Sequence, residues 1–196
     1  MLWWLRVRAL PAVLAGTALA VLLGSQARSL VVPVPIVVGG ISFPLPMAFL
    51  FPLVPVCLFL YGHGRADAAA ERTAVRRVPL LDVAAALTAT AVAGAAGLHS
   101  ATGVMVARDF AGYLGLALIV RWCAGVLTAG LVVSVFPFVC ASLGIRAGVP
   151  RVWAWPFLPA GSVPAALEVL VLLSSGLLLL WHGPLEWSRR ADLAAN

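Results

Sequence analysis

The 196-residue chain is 63% hydrophobic and 10% charged, against roughly 25% charged for a soluble domain. All thirteen basic residues are Arg, so the Lys that a phosphate-cradling P-loop requires is missing, and the chain cannot hydrolyse ATP through such a loop. The net charge of +6 comes from Arg residues dispersed between apolar runs, which suits anchoring at a membrane surface and argues against nucleic-acid binding.

Repeated apolar runs near twenty residues predict an all-α, polytopic integral membrane bundle. The reading is a single transmembrane domain over 1–196, with six transmembrane helices at about 9–24, 45–61, 80–98, 102–121, 123–144 and 162–181. Both termini are expected in the cytoplasm. The absence of Lys, with abundant Ala, Val, Leu and Gly, points to a GC-rich genome such as an actinobacterium's.

Residues 1–8 hold Trp3, Trp4, Arg6 and Arg8, an expected interface anchor on the cytoplasmic side. The first apolar run, followed by Ser25-Gln26-Ala27, also fits a cleavable signal peptide. Residues 28–46 carry Pro33, Pro35, Gly39, Gly40, Pro44 and Pro46. That density opposes a regular helix and leaves an extended outer loop or a re-entrant segment. Pro52 and Pro55 are expected to kink the second span.

Residues 62–79 form the long polar interruption. With Asp82 just beyond, residues 65–82 hold Arg65, Asp67, Glu71, Arg72, Arg76, Arg77 and Asp82. So polar a segment belongs in water, and its Arg excess places it in the cytoplasm. Residues 66–77 are Ala-rich, with acids first and Arg last, an order that suits a helix macrodipole. The segment reads either as a solvated linker or as a docking helix for a soluble partner.

This loop, with Glu71-Arg72 and the Val78-Pro79-Leu80-Leu81 start of the third span, resembles the type-2 class of ABC-transporter permeases. Residues Arg108 to Leu116 and the run Trp153-Ala154-Trp155-Pro156 resemble small actinobacterial membrane proteins linked to such transporters. The resemblance implies a coupling helix that contacts a cytoplasmic ABC ATPase subunit through Arg65, Glu71, Arg72, Arg76, Arg77 and Asp82. It also implies pairing of two membrane subunits, as a homo- or heterodimer in the bilayer.

The third span holds AAALTATAVAGAAG. Small residues permit close helix approach in lipid, so this span is expected to be central, with Thr88 and Thr90 bonded to backbone carbonyls. Between 99 and 145 a break at Arg121-Trp122 is preferred to one long helix, because it puts every Trp at an interface and spares Arg121 a cost of at least about 2.5 kcal/mol in lipid. Arg108 and Asp109 then lie within the outer end of the fourth span. Pro137 is expected to bend the fifth span. Residues 146–161 read as an outer loop against the membrane surface.

Glu168 sits a turn or so inside the sixth span, where an acid calls for a partner. Arg108, Arg146 or Arg151 are the candidates for a salt bridge closing the outer end, with proton or substrate contact as the alternative. His63, His99 and His182 read as interface residues, and Cys57, Cys123 and Cys140 as apolar fillers. No catalytic motif, cofactor fingerprint or metal-ligand spacing is present, so no enzyme is expected.

The sequence thus predicts the permease subunit of an ABC-type exporter in the cell membrane, with substrate passing along the second, third and fifth spans. The alternatives are the substrate-binding subunit of a vitamin-type uptake system, docking a scaffold through Ala111 and Gly115, and a non-transporting scaffold or immunity protein.

Overall fold

The computed structural model describes residues 2–35, 42–65, 78–146 and 149–182. The loop residues Glu71, Arg72, Arg76 and Arg77, and the helix expected over 66–77, lie outside that set. A short helix α1 (Leu2–Val7) leads into α2 (Leu10–Gln26) through Ala9, whose backbone is left-handed (φ 50°, ψ 30°). Four further apolar helices and the second span complete the bundle: α3 (Leu53–Gly64), α4 (Val78–Gly97), α5 (Ala101–Ala124), α6 (Val126–Leu143) and α7 (Val163–His182). Five segments are long and apolar enough to cross a membrane: 47–64, α4, α5, α6 and α7. Helix α2 is apolar but has 17 residues, about 25 Å at 1.5 Å per residue, just short of the roughly 30 Å hydrocarbon core.

The described parts of the Pro-rich segment, 31–35 and 42–46, are extended rather than helical. They form an antiparallel pair, β1 (Val31–Pro35) and β2 (Ser42–Pro46), with Val32 opposite Leu45 and Pro33 opposite Pro44. A two-stranded ribbon has only edges, which is where Pro is tolerated because its missing N–H can face outward. Val34 and Leu45 bury a small core with Phe49 and Ala141, so the ribbon closes one end of the bundle. A second pair, β3 (Ile145–Arg146) and β4 (Val149–Pro150), follows α6.

Within the apolar segment 47–64 the helix is interrupted at Pro52 rather than kinked. A 3₁₀ turn (Met47–Phe49) precedes α3; Pro52 caps the helix, and Pro55 lies in its first turn, where the lost N–H would be unpaired anyway. The break between the fourth and fifth spans falls at Gly125, beyond Arg121-Trp122. Its φ of 86° is one that Gly adopts freely.

The central helix is α5 rather than α4. Buried residues make up 67% of its most apolar stretch, against 28% or less for α4, α6 and α7. Ser100 caps α5, its Oγ accepting from the Gly103 N–H at 2.9 Å. Contacts of α5 with α7 are the most extensive in the bundle, because Gly115 and Gly176 meet there. A Cβ on Gly115 would come within 2.5 Å of the Leu172 carbonyl carbon, and one on Gly176 within 2.8 Å of Gly115 O. The Ala-rich α4 instead presents much of its surface outward, and its Thr88 and Thr90 hydroxyls donate to Ala84 O and Ala86 O as expected.

Trp155 does not lie on the protein surface. It is 1% exposed and lies in the core, its indole over Gly112, where a Cβ would stand 2.5 Å from the ring. Pro137 lies within α6 with its ring buried.

Replacing Gly115 by Ala is therefore expected to destabilise the bundle by about 1–3 kcal/mol through overpacking. Gly94, where an added Cβ meets nothing within 4 Å, gives the control: Gly94→Ala should be neutral or stabilise by up to about 1 kcal/mol. Thermal denaturation in detergent distinguishes the two.

Candidate functional site

Two buried polar clusters lie at opposite ends of α5. The first is built around Arg8, which the left-handed turn at Ala9 places beneath the bundle. Its guanidinium forks onto Asp82, with Nε donating to Oδ1 at 3.0 Å and Nη2 to Oδ2 at 2.7 Å. This bidentate pairing is the stronger kind of charged hydrogen bond. Arg8 Nη1 also approaches Gly62 O at 3.5 Å, and the Arg8 carbonyl packs so tightly on Gly62 that no side chain fits there.

His63 completes the cluster. Its Nδ1 contacts Phe59 O at 2.9 Å, and its Nε2 stands 3.4 Å from Asp82 Oδ2. Arg8, His63 and Asp82 are all buried. Arg121, near the C-terminus of α5, acts electrostatically on both His63 and Asp82.

This arrangement corrects three sequence expectations. Asp82 is not a loop residue facing a partner, because it lies in the second turn of α4 inside a buried ion pair. Arg8 and His63 lie at helix ends, but their side chains are buried in the protein instead of being turned toward headgroups. A clue was present in the sequence: an acid within an apolar helix needs a partner, and Arg8 is a basic residue flanking the first apolar run. Of the predicted coupling residues, only Arg65 is both described and exposed. Its guanidinium lies 5.5 Å from the Tyr61 ring centre, at the end of an open apolar groove of about 430 Å³ lined by Leu53, Val54, Cys57, Leu58 and Tyr61.

The second cluster starts at Arg108 and Asp109, the eighth and ninth residues of α5. Arg108 Nη1 donates to Pro159 O at 2.8 Å, and Nη2 to Trp155 O and Leu158 O at 3.0 Å and Pro156 O at 3.3 Å. One guanidinium thereby pins the turn containing the 3₁₀ segment Trp155–Phe157 onto α5. Asp109 Oδ1 accepts from Arg108 Nε and Nη2 at 3.3 and 3.1 Å. Asp109 Oδ2 is buried and has no hydrogen-bond partner.

One helical turn further on, Tyr113 packs against Trp155 and Phe136, with ring centres 5.0 and 6.3 Å away. Its buried hydroxyl is likewise unpartnered. Glu168, on α7, is half-buried and makes no ion pair among the described residues. The expected salt bridge with Arg108 does not form, because that guanidinium is committed to carbonyls and Asp109. The Arg146 side chain lies outside the described set. Glu168 Oε2 is also buried without a partner. Along α5 the two clusters are about 18 Å apart, taking the twelve residues from Asp109 to Arg121 at 1.5 Å each.

Among the described residues no three His, Cys, Asp or Glu side chains converge to hold a metal ion. Cys57, Cys123 and Cys140 are free. Ala111 and Gly115 are both buried within the bundle, so they present no surface to a scaffold protein.

The fold and these clusters define a multi-pass helical membrane protein. No family model matches the chain, and no curated protein or solved structure matches it either.

Removing one member of the Arg8–Asp82 pair leaves an uncompensated buried charge, which typically costs about 3–5 kcal/mol. Asp82→Ala and Arg8→Ala are each expected to lose that much. The double substitution Arg8→Met/Asp82→Leu should recover most of it, because apolar replacements of a buried pair are often near neutral. Thermal melts of the wild type, the two Ala variants and the double variant in detergent test both expectations.

Proposed function

We propose that the chain is the membrane-spanning permease subunit of an ABC-type exporter, energised by a separate cytoplasmic ATPase subunit. In this reading α2 is a sixth span, both termini are cytoplasmic, and the protein resides in the cell membrane of an actinobacterial-type host. Two such membrane subunits pair.

The observation that carries this reading is the position of the Arg8–Asp82–His63 cluster. His63 is the last residue but one of α3, and Asp82 is the fifth of α4. The buried clasp therefore binds the two ends of the polar loop to each other and to the start of α2. A load applied to residues 66–77 would pass into three helices at once. A flexible solvated linker has no need of such a fixed base.

The loop charges Glu71, Arg72, Arg76 and Arg77, with Arg65 at its root, supply the contact surface for a soluble partner. Without a Lys-containing phosphate loop in this chain, nucleotide hydrolysis falls to that partner. The uptake alternative loses one support, since Ala111 and Gly115 are spent on the crossing with α7.

Affinity purification of the full chain from its native membranes should bring down a nucleotide-hydrolysing subunit. The charge reversals Glu71→Arg and Arg72→Glu should weaken that association about tenfold or more, roughly 1.4 kcal/mol, without shifting the melting temperature of the bundle. Absence of any ATPase from the wild-type complex, or undiminished capture by the double variant, would contradict the proposal.

A further inference from the structure

Helix α3 lies between α2 and α6. Leu58 meets Gly16 of α2, where no side chain fills the border, and Cys57 Sγ stands 3.9 Å from Ser134 Oγ of α6. Between these borders the face of α3 forms the open groove of about 430 Å³ lined by Leu53, Val54, Cys57, Leu58 and Tyr61. From Leu53 to Tyr61 it runs about 12 Å, eight residues at 1.5 Å each. That is close to the hydrocarbon depth of one leaflet, half of the roughly 30 Å core.

The wall of the groove is apolar, but its end is not. Tyr61 closes it, and one turn further the Arg65 guanidinium stands 5.5 Å from the centre of that ring, within cation–π range. Both side chains are exposed. Arg65 caps α3 at the point where the apolar segment 47–64 ends. Among the described residues no carboxylate pairs with it, since Asp82 is taken by Arg8 and Asp109 by Arg108.

Shape and charge together select the occupant. A groove open along its side within a span is filled from the bilayer, so the apolar part of the occupant is a hydrocarbon chain. The guanidinium at its end calls for an anion, and phosphate oxygens match the fixed fork of Arg N–H groups. A soluble anion gains nothing from the apolar wall. A zwitterionic lipid carries its own cation beside the phosphate. The last carbonyls of α3 disfavour an anion through the helix dipole, so the attraction must come from Arg65 itself.

We propose that α3 carries a binding site for an anionic phospholipid, with one acyl chain in the groove from Leu53 to Tyr61 and the phosphate on Arg65. Tyr61 marks the boundary between the two, in the headgroup-level position that aromatic rings favour. Lipid, rather than a second copy of the chain, covers this face. The site holds for either orientation of the bundle and requires no ATPase partner, so it stands apart from the exporter reading.

Native mass spectrometry tests it, on the full chain delipidated in detergent and titrated with phosphatidylglycerol or phosphatidylcholine of identical acyl chains. Phosphatidylglycerol should bind about fivefold more tightly, the attraction of one Arg for an anionic lipid. Arg65→Gln should remove that preference. Arg6→Gln, at another exposed basic residue two positions before Arg8, should leave it intact. Val54→Trp, which fills the groove from an exposed position, should weaken binding of both lipids. Equal binding of the two lipids by the wild type, a preference that survives Arg65→Gln or is lost equally in Arg6→Gln, or unchanged binding by Val54→Trp would overturn the proposal. With Cys123 and Cys140 changed to Ala, a disulfide between two copies through Cys57 would place a second chain over the groove and overturn it as well.

Discussion

The bidentate contact between Arg8 and Asp82 holds together parts of the chain that have little other reason to meet. It joins residues 74 positions apart, across the foot of three helices, in surroundings that exclude water. Such a pair repays the desolvation of two charges only when geometry is good and the remaining lone pairs are occupied. The first condition is met by the two short N–H···O contacts. Gly62 O lies 3.5 Å from the remaining Arg8 Nη1, whereas His63 Nε2, 3.4 Å from Asp82 Oδ2, makes no hydrogen bond to it. The left-handed backbone at Ala9, which costs roughly 1–2 kcal/mol for a non-Gly residue, is the local strain that turns Arg8 inward. Burial of the pair does not make it a large source of net stability. It fixes which ends of α2, α3 and α4 lie together, and thereby the base of the polar loop.

The rest of the bundle is arranged around α5 by a different means. In lipid there is little hydrophobic gain from helix association, so close backbone approach and polar contacts must supply it. Gly115 against α7 and Gly112 beneath Trp155 provide the approach. Arg108 provides the polar contact, bonding the backbone of the 155–159 turn so that the connection before α7 lies over the helix. α5 therefore carries an Arg toward each end, Arg108 and Arg121, with a tightly packed apolar run from Leu114 to Val120 between them.

Much of this architecture could be read from the residues. The apolar runs located the spans of α4, α5, α6 and α7 to within a few positions, because length and hydropathy alone determine what can sit in hydrocarbon. Partner identity was not legible. Arg8 next to Trp3 and Trp4 has the composition of a headgroup anchor, and only the fold reveals Asp82 above it. Trp155 was misplaced for the same reason: tryptophan is common at interfaces, and the Gly112 notch that receives it is visible only in three dimensions. The Ala-rich composition of α4 suggested a central helix, but small residues serve equally on a surface where few large side chains are needed. Paired prolines in β1 and β2 looked like helix breakers without showing that the two stretches would align as a ribbon. The acids Asp109 and Glu168 were recognisable as costly in a membrane, yet their missing partners became apparent only from the packing.

The account depends most on the sidedness of the loop that the Arg8–Asp82 clasp supports. A cysteine introduced at Ala69 and probed with a membrane-impermeant thiol reagent measures this directly, with the three native cysteines changed to Ala or Ser. The account predicts no labelling in intact cells and full labelling once the membrane is permeabilised. Labelling in intact cells would put the loop outside and contradict both the orientation and the coupling role.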